Sequence, residues 1–324
     1  MLNWPEEEWE RQAPLIELTP LEVQNLMTEA GLGEVRHYRG MDGGKFNTNF
    51  EVLGYDYHVV IRIYERDPLG LARDEALEKI LPSELPRPKL IHAVHGERPI
   101  GVFEFKHGVK PHELECPTPQ DIETVAFYIG ELISGYAGAK SFEEHGLLDG
   151  NLELSKRFGT LESSFEDFIE WSLSKGRAGG RMGPARAAKL ESLAQRHAQL
   201  LRALDGQYGL LHGDLKFSNI LVDAETLKVS ALLDWEFVYS GAPLLDLAIF
   251  LRHSSKLSPL SKGAIAGFES SGATVTNEWW ETLRLWDLMN LCGFLNGSQH
   301  RQKTFDHVLQ LLDRNLAEIE ELSG

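Results

Sequence analysis

The chain has 324 residues, 42% of them hydrophobic and 25% charged, a composition that suits a soluble globular protein with a sizeable core. Its net charge of −17 excludes nucleic acid as a natural partner, because phosphate backbones are met by basic patches. No run approaches the roughly 18 apolar residues of a membrane span, and Cys116 and Cys292 fit neither a disulfide framework nor a zinc-type spacing.

Residues 1–18, with the acidic Glu6-Glu7-Glu8, read as a solvent-facing lead-in. This start lacks the basic and apolar regions of a signal peptide, so the expected location is cytoplasmic. Thr19-Pro20-Leu21-Glu22 then opens a helix, with Thr19 as N-cap, Pro20 in the first turn and Glu22 three residues on. Strand signals follow at 35–39, 49–53 and 57–64, the last of them (YHVVIRIY) rich in β-branched and aromatic residues. A helix over 70–81 is broken by the proline-rich run that ends at Pro88, and short strands follow near 89–94 and 99–105.

From Pro119 the pattern turns helical, with helices expected at 120–136, 163–174, 185–205, 243–252, 277–295 and 301–322. A short hairpin is expected at 219–222 and 227–233, and Lys175 to Pro184 reads as a glycine-rich basic loop. The expected architecture is α+β in two lobes. Residues 1–105 form an antiparallel sheet lobe with one inserted helix, and residues 106–324 form a larger, mainly helical lobe. A cleft between two unlike lobes is a natural place for a nucleotide.

The most informative stretch runs from Leu211 through His212-Gly213-Asp214-Leu215-Lys216-Phe217-Ser218-Asn219 to Ile220-Leu221, with Leu232-Leu233-Asp234-Trp235-Glu236 downstream. It sets polar residues on turns held by apolar runs. Phosphoryl transfer from Mg·ATP needs one carboxylate to orient the attacking hydroxyl, and Asp214 fits that need. It also needs oxygen ligands for the metal, which Asn219 and Asp234 can supply. Lys216 is placed to steady the transferring phosphate. His212 alone reads as a structural histidine.

This set resembles the aminoglycoside phosphotransferase family, small-molecule kinases of the protein-kinase-like fold. The resemblance covers roughly residues 35–255. It implies Asp214 as catalytic aspartate, Asn219 and Asp234 as metal ligands, and Asp246 as a brace for the catalytic loop. In the first lobe it implies that the segment from Gly40 to Phe50, with Gly43 and Gly44, covers the phosphates through backbone N–H groups. Arg62 on the VVIRIY strand would hold the nucleotide phosphates, and Glu75 on the next helix would be its ion-pair partner, with Asp74 and Glu78 close by. Phe103-Glu104-Phe105 would be the hinge that meets the base. There is no Ala-Pro-Glu after Asp234 and no room for a long activation segment before Asp246.

The function implied is transfer of a γ-phosphate from ATP, with GTP as the alternative nucleotide and Mg²⁺ as cofactor, to a hydroxyl of a small molecule. An aminoglycoside-like, amino-alcohol or sugar acceptor is expected, and the acidic surface favours a cationic one. The competing readings are a nucleotide-binding module without turnover and a kinase of sugar adducts on proteins. Trp279, Trp280, Trp286 and Phe294 read as helix packing, with an acceptor pocket as the alternative. Arg177, Arg181 and Arg186 read as a solvated loop, with a lid over the phosphates as the alternative. Oligomeric state is left open.

Overall fold

Helix α1 (Pro20–Glu29) begins on the capping box read from the sequence: the Thr19 side chain accepts from the Glu22 N–H, and the Glu22 carboxylate accepts from the Thr19 N–H. The computed structural model describes residues 15–41, 47–298 and 301–322; Glu6-Glu7-Glu8 lies outside them. Strands β1 (Val35–Gly40), β2 (Thr48–Gly54) and β3 (His58–Ile63) follow, then α2 (Gly70–Ile80), β4 (Leu90–Val94) and β5 (Ile100–Glu104). They form one antiparallel sheet in the order β1-β2-β3-β5-β4.

The period of two along β3 separates its faces. Val59, Ile61 and Ile63 are buried with Phe50 and Val52 beneath Val23, Leu26 and Met27 of α1. His58, Val60 and Arg62 alternate with them and point to the other face. Helix α2 lies toward that other face. Its Leu77, with Leu81 and Leu85 beyond its end, packs into the core of the helical lobe and not into the sheet core.

The helical part begins with α3 (Pro119–Ala137), capped by Thr118 and Asp121. A hairpin of β6 (Gly146–Leu148) and β7 (Leu154–Arg157) precedes α4 (Leu161–Ser174), α5 (Ala178–Met182), α6 (Pro184–His197) and β8 (Gly209–Leu211). The expected hairpin is β9 (Ile220–Val222) with β10 (Val229–Leu232). Strand β11 (Tyr239–Gly241) and helices α7 (Leu247–Phe250), α8 (Pro259–Ser270), α9 (Trp279–Asn296) and α10 (Gln302–Leu322) complete the chain. A second sheet has the order β7-β6-β11-β8.

Three features differ from the sequence expectations. The strands β6, β8 and β11 are three residues each, too short for periodicity to register. Helix α8 is absent from the sequence expectations, and its Gly263 and Gly267 are poor helix formers. They are required by a close crossing with α3: a Cβ on Gly267 would stand 1.9 Å from the Phe127 carbonyl oxygen.

The basic stretch after Lys175 is not a solvated loop. It folds as α5 and the start of α6; Arg177 and Arg181 hold the end of α9, and Arg186 on α6 reaches α10. Arg181 Nη1 donates to the carbonyls of Leu295 (2.5 Å) and Gly297 (2.7 Å), Arg177 N donates to Asn296 Oδ1 (2.9 Å), and Arg186 pairs with Asp313 (2.7 Å). Cationic side chains at the orphan carbonyls of a helix C-terminus satisfy them and complement the helix dipole. Trp280 and Trp286 are core residues, the first beneath the Arg284 guanidinium at 4.1 Å and the second edge-on to His145.

The C-terminal helices are joined by a buried ionic cluster. Asp287 accepts from Arg252 at 2.8 and 3.0 Å and from Asn315 Nδ2 at 3.0 Å. Arg284, whose guanidinium burial pulls down to about 10, donates to the carbonyls of Leu251 (2.7 Å) and Arg252 (3.0 Å). Both charges of the Arg252–Asp287 pair are out of water, so removing one strands the other. Asp287→Ala is expected to cost about 3 to 5 kcal/mol of unfolding free energy, measured by denaturant titration.

Candidate active site

The site is organised by a buried carboxylate. Asp246, 2% exposed in the short 3-10 turn Pro243–Asp246, accepts from the His212 N–H (2.7 Å), the Gly213 N–H (2.9 Å) and the Tyr136 hydroxyl (2.7 Å). Burial pushes its pKa up, and His212, the Tyr136 hydroxyl and the two N–H groups pull against that. Asp246 thus ties the end of β8 to α3. Gly213 has φ +78°, and a Cβ there would stand 2.2 Å from the Phe237 carbonyl oxygen, so the turn into Asp214 requires glycine.

His212 is structural, as read from the sequence. Its Nδ1 accepts from the Asp214 N–H (3.2 Å), which leaves Nε2 to donate to the Leu233 carbonyl (2.9 Å). Its ring lies 4.8 Å from Trp235, which meets Tyr136 edge-to-face. One imidazole therefore sets the turn into Asp214 against the segment that follows β10 and carries Asp234.

The β9–β10 hairpin does the remaining placement. Leu232 pairs with Ile220, and the Leu233 N–H donates to the Asn219 carbonyl at 2.8 Å. Residues twelve and fourteen apart in sequence are thereby made neighbours. Asn219 Nδ2 donates to the Asp214 carbonyl and to Asp214 Oδ2, each at 3.0 Å, and Lys216 Nζ lies 2.7 Å from the same Oδ2. Burial pushes Asp214 up and Lys216 pulls it back. Asp234 has φ +65°, the left-handed region that a non-glycine residue enters at a cost.

The sheet lobe reaches this group at three points. Arg62 Nη2 pairs with Asp234 Oδ1 at 2.8 Å, Asn47 Nδ2 donates to Glu236 Oε2 at 3.1 Å, and Arg73 Nη1 donates to the Glu236 carbonyl at 3.2 Å. Glu236 is pushed up to about 7 by burial and by its neighbour Asp234.

Of the residues singled out from the sequence, Arg62, Asp214, Lys216, Asn219 and Asp234 come together. Glu75 does not join them. Its Oε1 lies 3.3 Å from His95 Nε2 on the exposed side of α2, while Asp74 on the same helix takes the buried side. This corrects Glu75 as the partner of Arg62; the guanidinium pairs with Asp234. Glu104 turns its carboxylate to Lys106 (2.9 Å), beside a cleft of about 580 Å³ that Arg87, Lys89 and Ser230 also line. Gly43 and Gly44 lie outside the described residues.

Sequence reading missed Asn47, Tyr64 and Tyr136, and named Asp74 only as a neighbour of Glu75. Tyr64 sat inside a quoted segment, but nothing in the spacing marked it. For a metal, Asn219 and Asp234 are an all-oxygen donor set. The Asn219 amide uses its N–H groups on Asp214, and among the described residues none donates to its Oδ1. That chemistry suits Mg²⁺. Among the described residues no three His, Cys, Asp or Glu side chains group as a metal site.

A family model described as the phosphotransferase enzyme family matches residues 37–286. A curated relative, acyl-CoA dehydrogenase family member 11 of Gallus gallus, is 33% identical over 97 residues, which span 29% of this chain and only 12% of that protein. Among solved structures, a thermostable aminoglycoside phosphotransferase APH(4)-Ia in ternary complex with ADP and hygromycin B superposes with a TM-score of 0.65 at 17% identity, covering 91% of this chain and 98% of that one. The same enzyme with AMP-PNP and hygromycin B gives 0.66 at 16%, covering 91% and 98%. A microcompartment-associated aminopropanol kinase gives 0.65 at 18%, covering 92% and 95%. At these identities the structural likeness speaks to the fold.

The raised Glu236 makes stability pH-dependent. In the folded state it holds a proton that the unfolded chain, at the ordinary 4.5, releases, so this group's contribution falls as pH rises between 4.5 and about 7. Glu236→Gln removes that loss and can still accept from Asn47. Thermal melts should show the variant gaining on the wild type at about pH 8 relative to about pH 5.

Proposed function

The chain belongs to the phosphotransferase enzyme family, and we propose that it transfers the γ-phosphate of Mg·ATP to a hydroxyl group of a small molecule. The observation that carries this reading is the group around Asp214. A carboxylate held by an amide and an ammonium faces Asp234, and Arg62 reaches the same point from the opposite lobe.

In this mechanism Asp214 accepts the hydrogen bond of the acceptor hydroxyl and takes its proton as the bond to phosphorus forms. Lys216 keeps the carboxylate ionised against its burial and offers positive charge to the phosphoryl oxygens. Arg62 leaves Asp234 to hold the nucleotide phosphates with its forked donors. Asn219 and Asp234 would hold Mg²⁺, which neutralises charge on the β- and γ-phosphates when bound. The hinge backbone at Phe103-Glu104-Phe105 meets the base, and ATP is the expected nucleotide over GTP. Rate acceleration comes mainly from positioning and fixed charge.

Two acceptor classes follow. The net charge of −17 favours a cationic hydroxyl compound, such as an amino alcohol or an amine-bearing sugar. The match to part of a protein named acyl-CoA dehydrogenase family member 11 favours a hydroxyacyl thioester. A cytoplasmic setting is supported by two free cysteines, Cys116 and the buried Cys292, whose thiol burial pushes up to about 12. Among the described residues no helix is long and apolar enough to cross a membrane.

The test is ADP release from Mg·ATP against aminoglycosides, amino alcohols, amine-bearing sugars and hydroxyacyl thioesters. Release should depend on one class and be lost in Asp214→Asn, which lowers turnover by about 10² to 10⁴ while nucleotide affinity holds. Equal turnover in that variant would remove Asp214 from the chemistry. Nucleotide binding with no release in any arm would favour a binding module.

A further inference from the structure

Helix α2 carries three acidic residues, and each takes a different partner. Glu75 faces His95, and the two side chains are 33% and 65% exposed. Glu78 pairs with Arg87 at 2.5 Å and accepts from the Leu90 N–H, which fixes the far end of the helix to β4. Asp74 alone is turned toward β3, where the Tyr64 hydroxyl donates to its Oδ2.

Tyr64 lies two residues after Arg62, on the same face of the chain, and the Arg62 guanidinium stands 5.9 Å from its ring centroid. The ring is 4% exposed. It is seated on the first turn of α2: a Cβ on Gly70 would stand 2.6 Å from the ring. Burial works against the charge on Arg62, and the fields of Asp234 and Asp74 oppose that effect. Tyr64 itself is held far above its ordinary value by burial and by Asp74, so it stays a hydroxyl donor. An aspartate is one methylene shorter than a glutamate, and the tyrosine supplies the missing reach.

We propose that Asp74, acting through Tyr64, is the residue of α2 that positions Arg62 for the nucleotide phosphates, in place of Glu75. The proposal rests on the reading of Arg62 as the phosphate-binding arginine. Arg62 has two anchors of different kinds. Asp234 is a direct partner that it must exchange for phosphate, whereas Asp74 and Tyr64 fix the floor beneath its guanidinium throughout. Because Leu77 roots α2 in the core of the helical lobe, the position of that lobe is passed to Arg62 through this contact.

Steady-state kinetics on Tyr64→Phe, Asp74→Asn, their double variant and Glu75→Gln test the assignment. Tyr64→Phe and Asp74→Asn should each raise the KM for ATP about tenfold, the scale of a lost hydrogen bond to a charged group, with the acceptor KM unchanged. The double variant should match the worse single one, because both residues act in one chain. Glu75→Gln should change the KM less than about twofold, as a rim charge does. A Glu75→Gln effect as large as that of Asp74→Asn would overturn the proposal, and so would additive effects of the two singles. A ligand-free readout separates this from the phosphotransferase reading: thermal unfolding of Arg62→Gln, Asp74→Asn and the pair. Non-additive shifts in Tm are expected, and additive shifts would overturn the coupling even if turnover is normal. A wild type without acceptor-dependent ADP release, but with non-additive melts, would count against the phosphotransferase reading and leave the coupling standing.

Discussion

A carboxylate buried to 2% exposure is tolerable only when its lone pairs are met, and Asp246 meets them with two backbone N–H groups and one phenol. Much of the site depends on that arrangement. The two N–H groups belong to His212 and Gly213, so the polypeptide immediately before Asp214 is held by hydrogen bonds to a fixed point. The phenol belongs to Tyr136 near the end of α3, and α3 lies close against α8 through Gly267. The turn into Asp214 is therefore registered to the α3–α8 pair, and its backbone has little freedom left. His212 extends the registration sideways to Leu233, which places Asp234. A short chain of contacts runs from Asp246 through His212 to Asp234, and it uses no surface salt bridge.

The contacts between lobes are of another kind. Behind the cleft Leu77, Leu81 and Leu85 make an apolar seam; at the cleft the contacts are polar and charged: Arg62 with Asp234, Asn47 with Glu236, and Arg73 with the Glu236 carbonyl. All three converge on the Asp234-Trp235-Glu236 segment. Ion pairs of this type exchange partners readily when a competing charge arrives, whereas a packed apolar seam does not. Arg62 and Asp234, which meet across the cleft, are also the pair proposed to exchange each other for the nucleotide phosphates and the cation.

Much of this was legible in the sequence because the chemistry is local. The stretch from His212 to Asn219 and the run ending in Asp234-Trp235-Glu236 needed only a hairpin between them, and the apolar runs around 220–233 supply it. Arg62 could be aimed by the period-two pattern of its strand. Thr19 and Glu22 announced α1 by capping chemistry alone. Other features were not legible because they depend on partners far along the chain. Neighbouring residues on a helix point about 100° apart, so Asp74 and Glu75 cannot be told apart until the angle of α2 against β3 is known. Arg181 meets carbonyls more than a hundred residues away, so its stretch reads as a basic loop in isolation. Gly263 and Gly267 look like helix breakers until α3 lies across them.

The seating of α2 has a mechanical consequence. Its Leu77, with Leu81 and Leu85, belongs to the core of the helical lobe, while the five-stranded sheet shares its own core with α1. The packing of the molecule therefore does not divide where β-structure gives way to α-structure. The sheet and α1 form one shell, and α2 is part of the bed on which it rides. The Tyr64 ring, seated on the bare backbone at Gly70 and bonded to Asp74, couples the sheet to that bed, so a displacement of α2 is handed to the strand that carries Arg62.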